Sequence, residues 1–262
     1  MITSAANLQI KQIRALRQRK ERTTSGRYFI EGVRLVGEAV QLAAPIELLV
    51  VAPELLQSAF AQELVAQQRA RGMALIEVSA AVFASLSQKD GPQGIGAVLR
   101  QRWENLAAVR LSRTPGWVAL DAVADPGNLG TILRTADAVG VEGLILLGDS
   151  TDPYDPAALR GSMGAIFAQR LVRSDFASFA AWKEEHRIVL VGTSDAAPTD
   201  YRSLVYPQPL VLLMGSERQG LSGEQQALCD YVVSIPMRGR SDSLNLAVAT
   251  GVILYEFYNQ LH

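Results

Sequence analysis

Three polar segments in the second half of the chain carry residue types that bind ligands and stabilise charge. They are "DPGNLGTILR" with Asn128 and Arg134, "MGSERQGLS" with Glu217, and "SDSLNLAVA" with Ser243 and Asn245. Each comes after a short apolar run, so each is expected on a loop that follows a strand. Amide, guanidinium, carboxylate and hydroxyl groups placed together can bind a polar substrate and stabilise negative charge that develops on an oxygen.

The same segments argue against two common nucleotide sites and against a metal site. The first loop is not G-x-G-x-x-G, and no acidic residue lies about 20 positions further on at a strand end, as a dinucleotide would require. The loop also lacks the lysine of a P-loop. Cys229 is the single cysteine, and with His186 and His262 as the two histidines the sequence predicts neither a disulfide nor a zinc site.

Each polar residue also has an ordinary structural explanation. Asn128, Ser222 and Ser243 could each cap the N-terminus of a helix, and Arg134 could form a surface salt bridge. Their occurrence at three successive strand ends favours a shared pocket, which suits a neutral-to-zwitterionic ligand carrying adenine better than a triphosphate. Backbone and apolar side chains would line this pocket at Gly215, Ile235, Met237 and Leu244.

A sheet is needed to position these segments. Five short, continuous apolar runs predict its strands: "GWVAL", "GLILLG", "RIVLVGT", "PLVLLMG" and "YVVSI". Helical patterns lie between them, and such strands are typical of a mostly parallel sheet with helices on both faces. Residues 116–262 are therefore predicted to form an α/β domain. In such a sheet the ligand lies beyond the carboxyl ends of the strands.

The first part of the chain predicts a second, smaller α/β domain. Over residues 1–105 the apolar runs "IELLVVA", "ALIEVS" and "GIGAVLR" alternate with helical patterns. Residues 106–115 are polar, carry Pro115 and predict a linker.

Basic residues are concentrated near the start of this first domain. A solvated helix face would explain them, but few acids are available for pairing along the helix. A local basic patch attracts the phosphate backbone of a nucleic acid. The candidate RNA contacts are Lys11, Arg14, Arg17, Lys20 and Arg27.

Composition limits the class of protein further. Hydrophobic residues make up 48% of the 262 residues and charged residues 19%, as in a globular protein with a core. The net charge of −1 means that binding of nucleic acid would depend on local charge. No apolar run reaches about 18 residues and no signal-peptide core is present, so the sequence predicts no membrane span and a cytoplasmic location.

The three segments, in this order, resemble the motifs of the SpoU (TrmH) family of RNA ribose 2'-O-methyltransferases. The first motif, "N-x-G-x-x-x-R-x-A", is matched at Asn128, Gly130, Arg134 and Ala136. The second is matched at Gly215, Ser216, Glu217 and Gly220. The third is matched at Ile235, Pro236, Met237, Gly239, Ser243, Leu244, Asn245 and Ala249. The run "LRGSMGAIF" at 159–167 is similar to a further element of the family, and the N-terminal part resembles its L30-like RNA-recognition domain.

This resemblance implies a fold, a cofactor and an assembly. The fold would be that of the SPOUT superfamily, in which the C-terminal chain forms a deep trefoil knot. The cofactor would be S-adenosylmethionine, and two copies of the chain would form a homodimer that completes the active site. No metal is implied. The cofactor would bind around Thr193, Gly215, Ile235, Met237 and Leu244.

The resemblance also assigns the catalytic and substrate-site positions. They are Asn128, Arg134, Glu217, Ser243 and Asn245. The motif arginine has been proposed as the base that accepts the proton of the ribose hydroxyl. A free guanidinium has a pKa above about 12, so Arg134 is alternatively expected to bind the target phosphate and stabilise the developing alkoxide.

The predicted function is methylation of a ribose 2'-hydroxyl in ribosomal RNA, because a separate L30-like domain suits folded RNA. Transfer RNA is the alternative substrate. A different class of function is a non-catalytic RNA-binding or ribosome-assembly factor on the same fold, against which the intact motif residues argue. A third class, a nucleotide-dependent oxidoreductase, is disfavoured by the glycine spacing of the first loop.

Overall fold

A computed structural model describes residues 1–111 and 115–262 and divides them into two units. The first unit comprises Met1–Gln101 together with Tyr154–Leu159, and the second comprises Arg102–Pro153 and Arg160–His262. This division differs from the predicted boundaries at Arg102 and at the segment Tyr154–Leu159. Residues 112–114 of the predicted linker lie outside the described residues. The predicted division into 1–105, 106–115 and 116–262 stays a prediction.

The first unit is built on a four-stranded sheet of order β1-β4-β2-β3, in which only β2 and β3 are parallel. Its strands are β1 (Arg27–Glu31), β2 (Ile46–Val51), β3 (Leu75–Glu77) and β4 (Ile95–Arg100). Its helices are α1 (Leu8–Ala15), α2 (Arg19–Ser25), α3 (Val33–Gln41), α4 (Ala59–Ala70) and α5 (Ala80–Leu86). The apolar runs of β2, β3 and β4 predict these strands, whereas β1 alternates buried and partly exposed residues and has no continuous apolar run.

Helices α1 and α5 cover one face of this sheet. Ile10 and Ile13 of α1 pack with Phe83 of α5 and with Val50 and Val98 of the strands in one buried cluster. These side chains recur at helical spacing on α1 and at every second position on the strands, so one apolar face of each element is removed from water. The opposite side of α1 is left to its polar residues.

The second unit contains a six-stranded sheet of order β10-β8-β9-β5-β6-β7 in which all neighbouring strands are parallel. Its strands are β5 (Gly116–Asp121), β6 (Gly143–Leu147), β7 (Arg170–Ser174), β8 (Val189–Thr193), β9 (Leu210–Met214) and β10 (Tyr231–Val233). Its helices are α6 (Pro126–Ala138), α8 (Phe176–Glu185), α9 (Gly223–Leu228) and α10 (Leu246–Asn259). Helix α7 (Pro156–Ser162) is divided between the units, with residues 156–159 in the first and 160–162 in the second. The predicted α/β class with a mostly parallel sheet is confirmed. The trefoil knot stays a prediction.

One strand of this sheet, β7, lacks a continuous apolar sequence. β7 lies at the edge of the sheet and reads "RLVRS", so its charged residues interrupt the apolar pair Leu171 and Val172. An edge strand is partly solvated and can carry charge. Here Arg170 forms a salt bridge with Glu104 at 2.7 Å.

Both faces of the six-stranded sheet are covered. On one face Trp117 and Ala119 pack with Phe179 and Trp182 of α8 in a buried cluster that also contains Leu106. Helices α6 and α10 pack against each other and bury the apolar residues Leu129, Ile132, Leu133, Ile253, Leu254 and Phe257. The central strands are therefore buried along their length, as their continuous apolar sequences predict.

Candidate active site

A cavity of about 520 Å³ lies beyond the carboxyl ends of β8, β9 and β10. Its lining comes from the loops after these strands and from the beginning of α10. This is the edge at which a parallel sheet presents its loops to a ligand. The lining includes all five residues predicted to bind the cofactor, which are Thr193, Gly215, Ile235, Met237 and Leu244.

The loop after β9 is folded back on itself by two glycines. The backbone N–H of Gly220 donates to the carbonyl of Ser216 at 3.0 Å, and the N–H of Ser216 donates to the carbonyl of Gly220 at 3.2 Å. Gly220 has a φ of +64°, which favours glycine. A Cβ on Gly215 would lie 2.1 Å from the carbonyl carbon of Gly220. Glycine at 215 therefore allows the close approach that holds Glu217 at the cavity wall.

The loop after β10 leads into α10, whose N-terminus is capped by Asn245. The Oδ1 of Asn245 accepts hydrogen bonds from the backbone N–H groups of Ala247 at 2.9 Å and Val248 at 3.3 Å. The alternative that Ser243 caps this helix is wrong. Ser243 lies two residues earlier, lines the cavity and donates to the Asp242 carboxylate at 3.4 Å.

The N-terminus of α6 is capped by Asp125, not by Asn128. The Oδ1 of Asp125 accepts from the backbone N–H of Asn128 at 2.9 Å, and Pro126 occupies the first helical turn, where a missing N–H costs nothing. Because the cap is supplied by another residue, the side chain of Asn128 can reach across to other loops. By contrast, the expected cap Ser222 of α9 is present and forms a capping box with Gln225.

Asn128 joins the three loops in a chain of hydrogen bonds. Its Nδ2 donates to Oε1 of Glu217 at 2.5 Å, and its Oδ1 accepts from Nδ2 of Asn245 at 3.0 Å. Since Oδ1 of Asn245 is occupied as a helix cap, the direction of every bond in the chain is fixed. The remaining oxygen of Glu217 stays available at the cavity wall. Three of the five predicted catalytic residues therefore meet.

Arg134 lies apart from this chain. It occupies an exposed position on α6, two turns beyond the helix cap, and it is not among the residues that line the cavity. Its guanidinium has no hydrogen-bond or ion-pair partner within residues 1–111 and 115–262. The alternative that it forms a surface salt bridge is therefore not supported. The guanidinium is free to bind a ligand.

The charged residues of the cavity lining are mostly acidic. They are Asp195, Glu217 and Asp242, with Arg218 as the counterpart. This set fits a ligand that carries positive charge and disfavours a pyrophosphate or triphosphate, because like charges repel at short range. S-adenosylmethionine, with a sulfonium and an ammonium group against one carboxylate, meets this requirement. The apolar wall of Ile235 and Leu246 suits an adenine ring.

Sequence patterns did not indicate every residue of this cavity. Asp195 and Asp242 are additions, and Asp195 belongs to the loop after β8, from which only Thr193 was expected. The sequence does contain a signal for Asp195. It lies two residues after the end of β8, and β8 is the neighbour of β9 and β10, whose following loops also line the cavity. The Oγ1 of Thr193 itself donates to the sulfur of Met214 at 3.6 Å.

The basic residues of the first unit divide into two groups. Arg14 donates to the hydroxyl of Ser85 at 2.7 Å, and Arg17 donates to the carbonyls of Ser85 at 3.0 Å and Ser87 at 2.9 Å. These two predicted RNA contacts therefore tie α1 and the turn that follows it to the end of α5, whose last carbonyl groups accept from cations. Lys11 and Lys20 are exposed and have no side-chain partner in the described part of the chain.

Arg27, the fifth predicted RNA contact, shares a carboxylate with Arg100. Glu47 accepts from Nε of Arg27 at 2.5 Å and from Nη2 of Arg100 at 2.6 Å. Burial alone would raise the pKa of Glu47, but the hydrogen bonds from Arg100 and Arg27 outweigh it and hold this pKa below its usual range. The two arginines and one carboxylate leave an excess of positive charge at this end of the sheet.

No group of three or more His, Cys, Asp or Glu side chains in the described ranges is arranged to hold a metal ion. None of the helices in the same ranges has the length and apolar character needed to cross a membrane.

Comparison with known proteins places the chain in a family. Residues 116–255 match the SpoU rRNA Methylase family, and residues 7–97 match the MRM3-like substrate binding domain. The chain belongs to the SpoU rRNA methylase family, as its motifs predict. S-adenosylmethionine is the methyl donor of this family.

Relatives of known activity match along the full length. The chain is 35% identical to the 23S rRNA (uridine(2479)-2'-O)-methyltransferase of Streptomyces viridochromogenes, covering 98% of this chain and 91% of the relative. It is 29% identical to the 23S rRNA (guanosine(2553)-2'-O)-methyltransferase RlmP of Bacillus subtilis (strain 168), covering 97% of each. The AdoMet-bound rRNA methyltransferase from Sinorhizobium meliloti is 38% identical, with a TM-score of 0.90 over 100% of this chain and 98% of that structure.

Proposed function

We propose that this protein transfers a methyl group from S-adenosylmethionine to a ribose 2'-hydroxyl of ribosomal RNA. One observation carries the proposal. The cavity with an acidic lining lies beside the hydrogen-bonded chain of Asn245, Asn128 and Glu217 at the carboxyl edge of the parallel sheet. Relatives that match this chain along its length are named as methyltransferases of 23S rRNA, which supports rRNA over tRNA as the substrate.

The residues of the chain would divide the work between binding and charge stabilisation. S-adenosylmethionine, when bound, supplies an electrophilic methyl group on a positively charged sulfur. Asp195, Glu217 and Asp242 favour that positive charge in the cavity. The Asn245–Asn128 pair fixes Glu217, since Asn245 donates to Asn128 and Asn128 donates to Glu217. Holding oxygen and methyl carbon in line lowers the barrier by removing the entropy cost of their encounter.

Arg134 would act on the substrate side. Its unpartnered guanidinium presents a planar set of donors to the phosphate of the target nucleotide and to the ribose oxygen. As that oxygen bonds to the methyl carbon, the carbon–sulfur bond breaks, S-adenosylhomocysteine leaves and the hydroxyl proton passes to water. A guanidinium that remains charged is better suited to this role than to accepting the proton.

A second copy of the chain would complete the site. On α10, Val248 and Tyr255 are 52% and 50% exposed, one above the other on the same face of the helix. This face begins next to the cap residue Asn245. An exposed apolar helix face of this kind is typical of a protein–protein interface. The proposed homodimer predicts that Tyr255→Glu sediments as a monomer, whereas a dimeric variant would place the interface elsewhere.

Methyl transfer from labelled S-adenosylmethionine to unmodified rRNA and, separately, to tRNA tests the proposed activity. Label on rRNA at a linkage that resists alkali, absent with Arg134→Ala, is the expected result. Label on tRNA alone would keep the chemistry and overturn the substrate. Absence of label on both RNAs while the cofactor still binds would favour the alternative of a non-catalytic RNA-binding factor.

A further inference from the structure

A second cavity, of about 700 Å³, lies in the first unit and has no part in the methyl-transfer site. It opens between α1, the end of α2 and the ends of β1 and β2. Its volume is within the range of roughly 300–1,000 Å³ that is usual for small-ligand sites. We propose that this cavity binds one unstacked base of the RNA substrate. The nature of this ligand rests on the proposed function.

The floor of the cavity is apolar. It is formed by Ile13 and Leu16 of α1, which are almost fully buried, and by Leu48 and Val98 of the sheet. An apolar surface of this kind suits the face of a heterocyclic ring. Because the floor belongs to the core cluster of the unit, it is present before any ligand arrives.

Two amides stand at the wall of this cavity. Gln9 and Gln12 lie on the same side of α1, three residues apart, and line the opening. Neither side chain has a hydrogen-bond partner within the described residues. Each amide carries both donors and an acceptor, which is the pattern needed to bind the edge of a base. A lipid or an acidic peptide would not need these groups.

The lining of the cavity carries two cations, Lys11 and Arg27, and two carboxylates, Glu21 and Glu47. Positive charge is added beside the lining by the exposed Lys20 on α2 and by Arg100, which shares Glu47 with Arg27. Cations around an apolar floor with free amides match a nucleotide, whose phosphates lie on either side of the base. RNA is recognised in this way when single-stranded bases are splayed out of a loop.

Two variants test the base pocket. Gln12→Leu removes the amide at nearly constant size, and Ala15→Leu extends a side chain from α1 into the cavity without weakening the helix. Each is expected to raise the Kd for substrate RNA by about tenfold, the effect of losing contacts to one base. Turnover at saturating RNA and affinity for S-adenosylmethionine should stay at the wild-type values. Gln67→Leu, on α4 and away from the cavity, is the matched control.

Crosslinking locates the base directly. Substrate RNA that contains 4-thiouridine is irradiated with the wild-type protein, and the modified peptide is mapped. Attachment to the α1 or β2 residues of the cavity supports the proposal, whereas attachment only elsewhere overturns it. Wild-type Kd values for both variants also overturn it. If Ala15→Leu does not fold, the Gln12→Leu result decides.

The failure of the base pocket is distinguishable from that of the proposed function. Methyl transfer by the wild-type protein is measured first. If both variants transfer methyl groups at the wild-type rate at limiting RNA concentration, only the proposed base pocket is overturned. Absence of transfer by the wild-type protein to any RNA would instead overturn the methyltransferase function from which the ligand was inferred.

Discussion

Asn245 donates from its amide nitrogen to the amide oxygen of Asn128 at 3.0 Å while its own oxygen caps α10. One side chain thus begins α10 and orients a residue in the first turn of α6. The two roles can be separated by substitution, because Asp caps a helix as well as Asn but has no N–H to donate.

Asn245→Asp is expected to keep the thermal stability of the wild-type protein and to lose most of its methyl transfer. Asn245→Ala should lose both, with a free energy of unfolding lower by about 0.5–2 kcal/mol from the missing cap. Calorimetry and single-turnover transfer measure the two effects. Wild-type turnover by Asn245→Asp would show that the bond to Asn128 does not contribute to catalysis.

Arg134→Lys is expected to reduce turnover by about 100-fold or more, because lysine keeps the charge but lacks the planar set of donors. Affinity for S-adenosylmethionine should be unchanged, since Arg134 does not line the cofactor cavity. Equilibrium binding and turnover are measured on the same preparation. Near-normal turnover would exclude Arg134 both as a base and as the group that stabilises the alkoxide.

Gly215→Ala is expected to abolish binding of S-adenosylmethionine, because the added Cβ would lie 2.1 Å from the carbonyl carbon of Gly220. Gly223→Ala, on the other side of the same loop, provides the control. A Cβ at Gly223 would meet no atom within 4 Å. Titration calorimetry with the cofactor should separate the two variants. Equal affinities would mean that the loop can relax around the new methyl group.

The two groups of basic residues between Lys11 and Lys20 are expected to respond differently to substitution. Lys11→Gln with Lys20→Gln should weaken RNA binding and reduce the slope of log K against log salt by about 2, at unchanged stability. Arg17→Ala should instead lower the free energy of unfolding by about 1–3 kcal/mol, because the Ser85 and Ser87 carbonyls lose a charged donor. If the slope of log K against log salt changes in Arg17→Ala but not in the double lysine variant, Arg17 and not the lysines contacts RNA.

Glu47 is expected to make the stability of the first unit depend on acid pH. Its pKa is lower in the folded protein than in the unfolded chain, so its stabilising contribution is present above the unfolded pKa of about 4.3 and is lost as pH falls through the folded value. Glu47→Gln should therefore lower stability at neutral pH and flatten its decline in acid. Urea unfolding from neutral pH to about pH 3 checks this. If the free energy of unfolding falls equally steeply with acid pH in the wild type and in Glu47→Gln, this prediction is wrong.

The sequence predicts the central strands well because burial on both faces leaves a continuous apolar run, as in "PLVLLMG". It predicts the edge strands β1 and β7 poorly, because their solvated positions carry charge. The sequence also fails to decide which residue caps a helix. Asp125 and Asn128, or Ser243 and Asn245, are equally good caps by residue type, and only the geometry of the loop chooses between them.

Residues of the candidate site can be predicted from the sequence where the backbone conformation permits one residue type. They are harder to predict where a side chain has several possible hydrogen-bond partners. Gly215 is required by a close approach of two backbone segments, so its type signals its role. The type of a basic residue on α1 does not reveal its role in the same way. Arg14 and Lys11 look alike in a basic stripe, but Arg14 finds Ser85, which is 71 positions away in the sequence.

The bond between Asn128 and Asn245 joins residues 117 positions apart. A ribosome that adds about 5–20 residues per second therefore exposes Asn128 roughly 6–23 seconds before Asn245 exists. During that interval strands β6 to β10 are synthesised, while the cap of α10 and the hydrogen bonds that fix Glu217 are still missing. If the proposed catalytic role of Asn245 and Asn128 holds, we expect chains that end before Asn245 to be inactive, however well their earlier strands have folded.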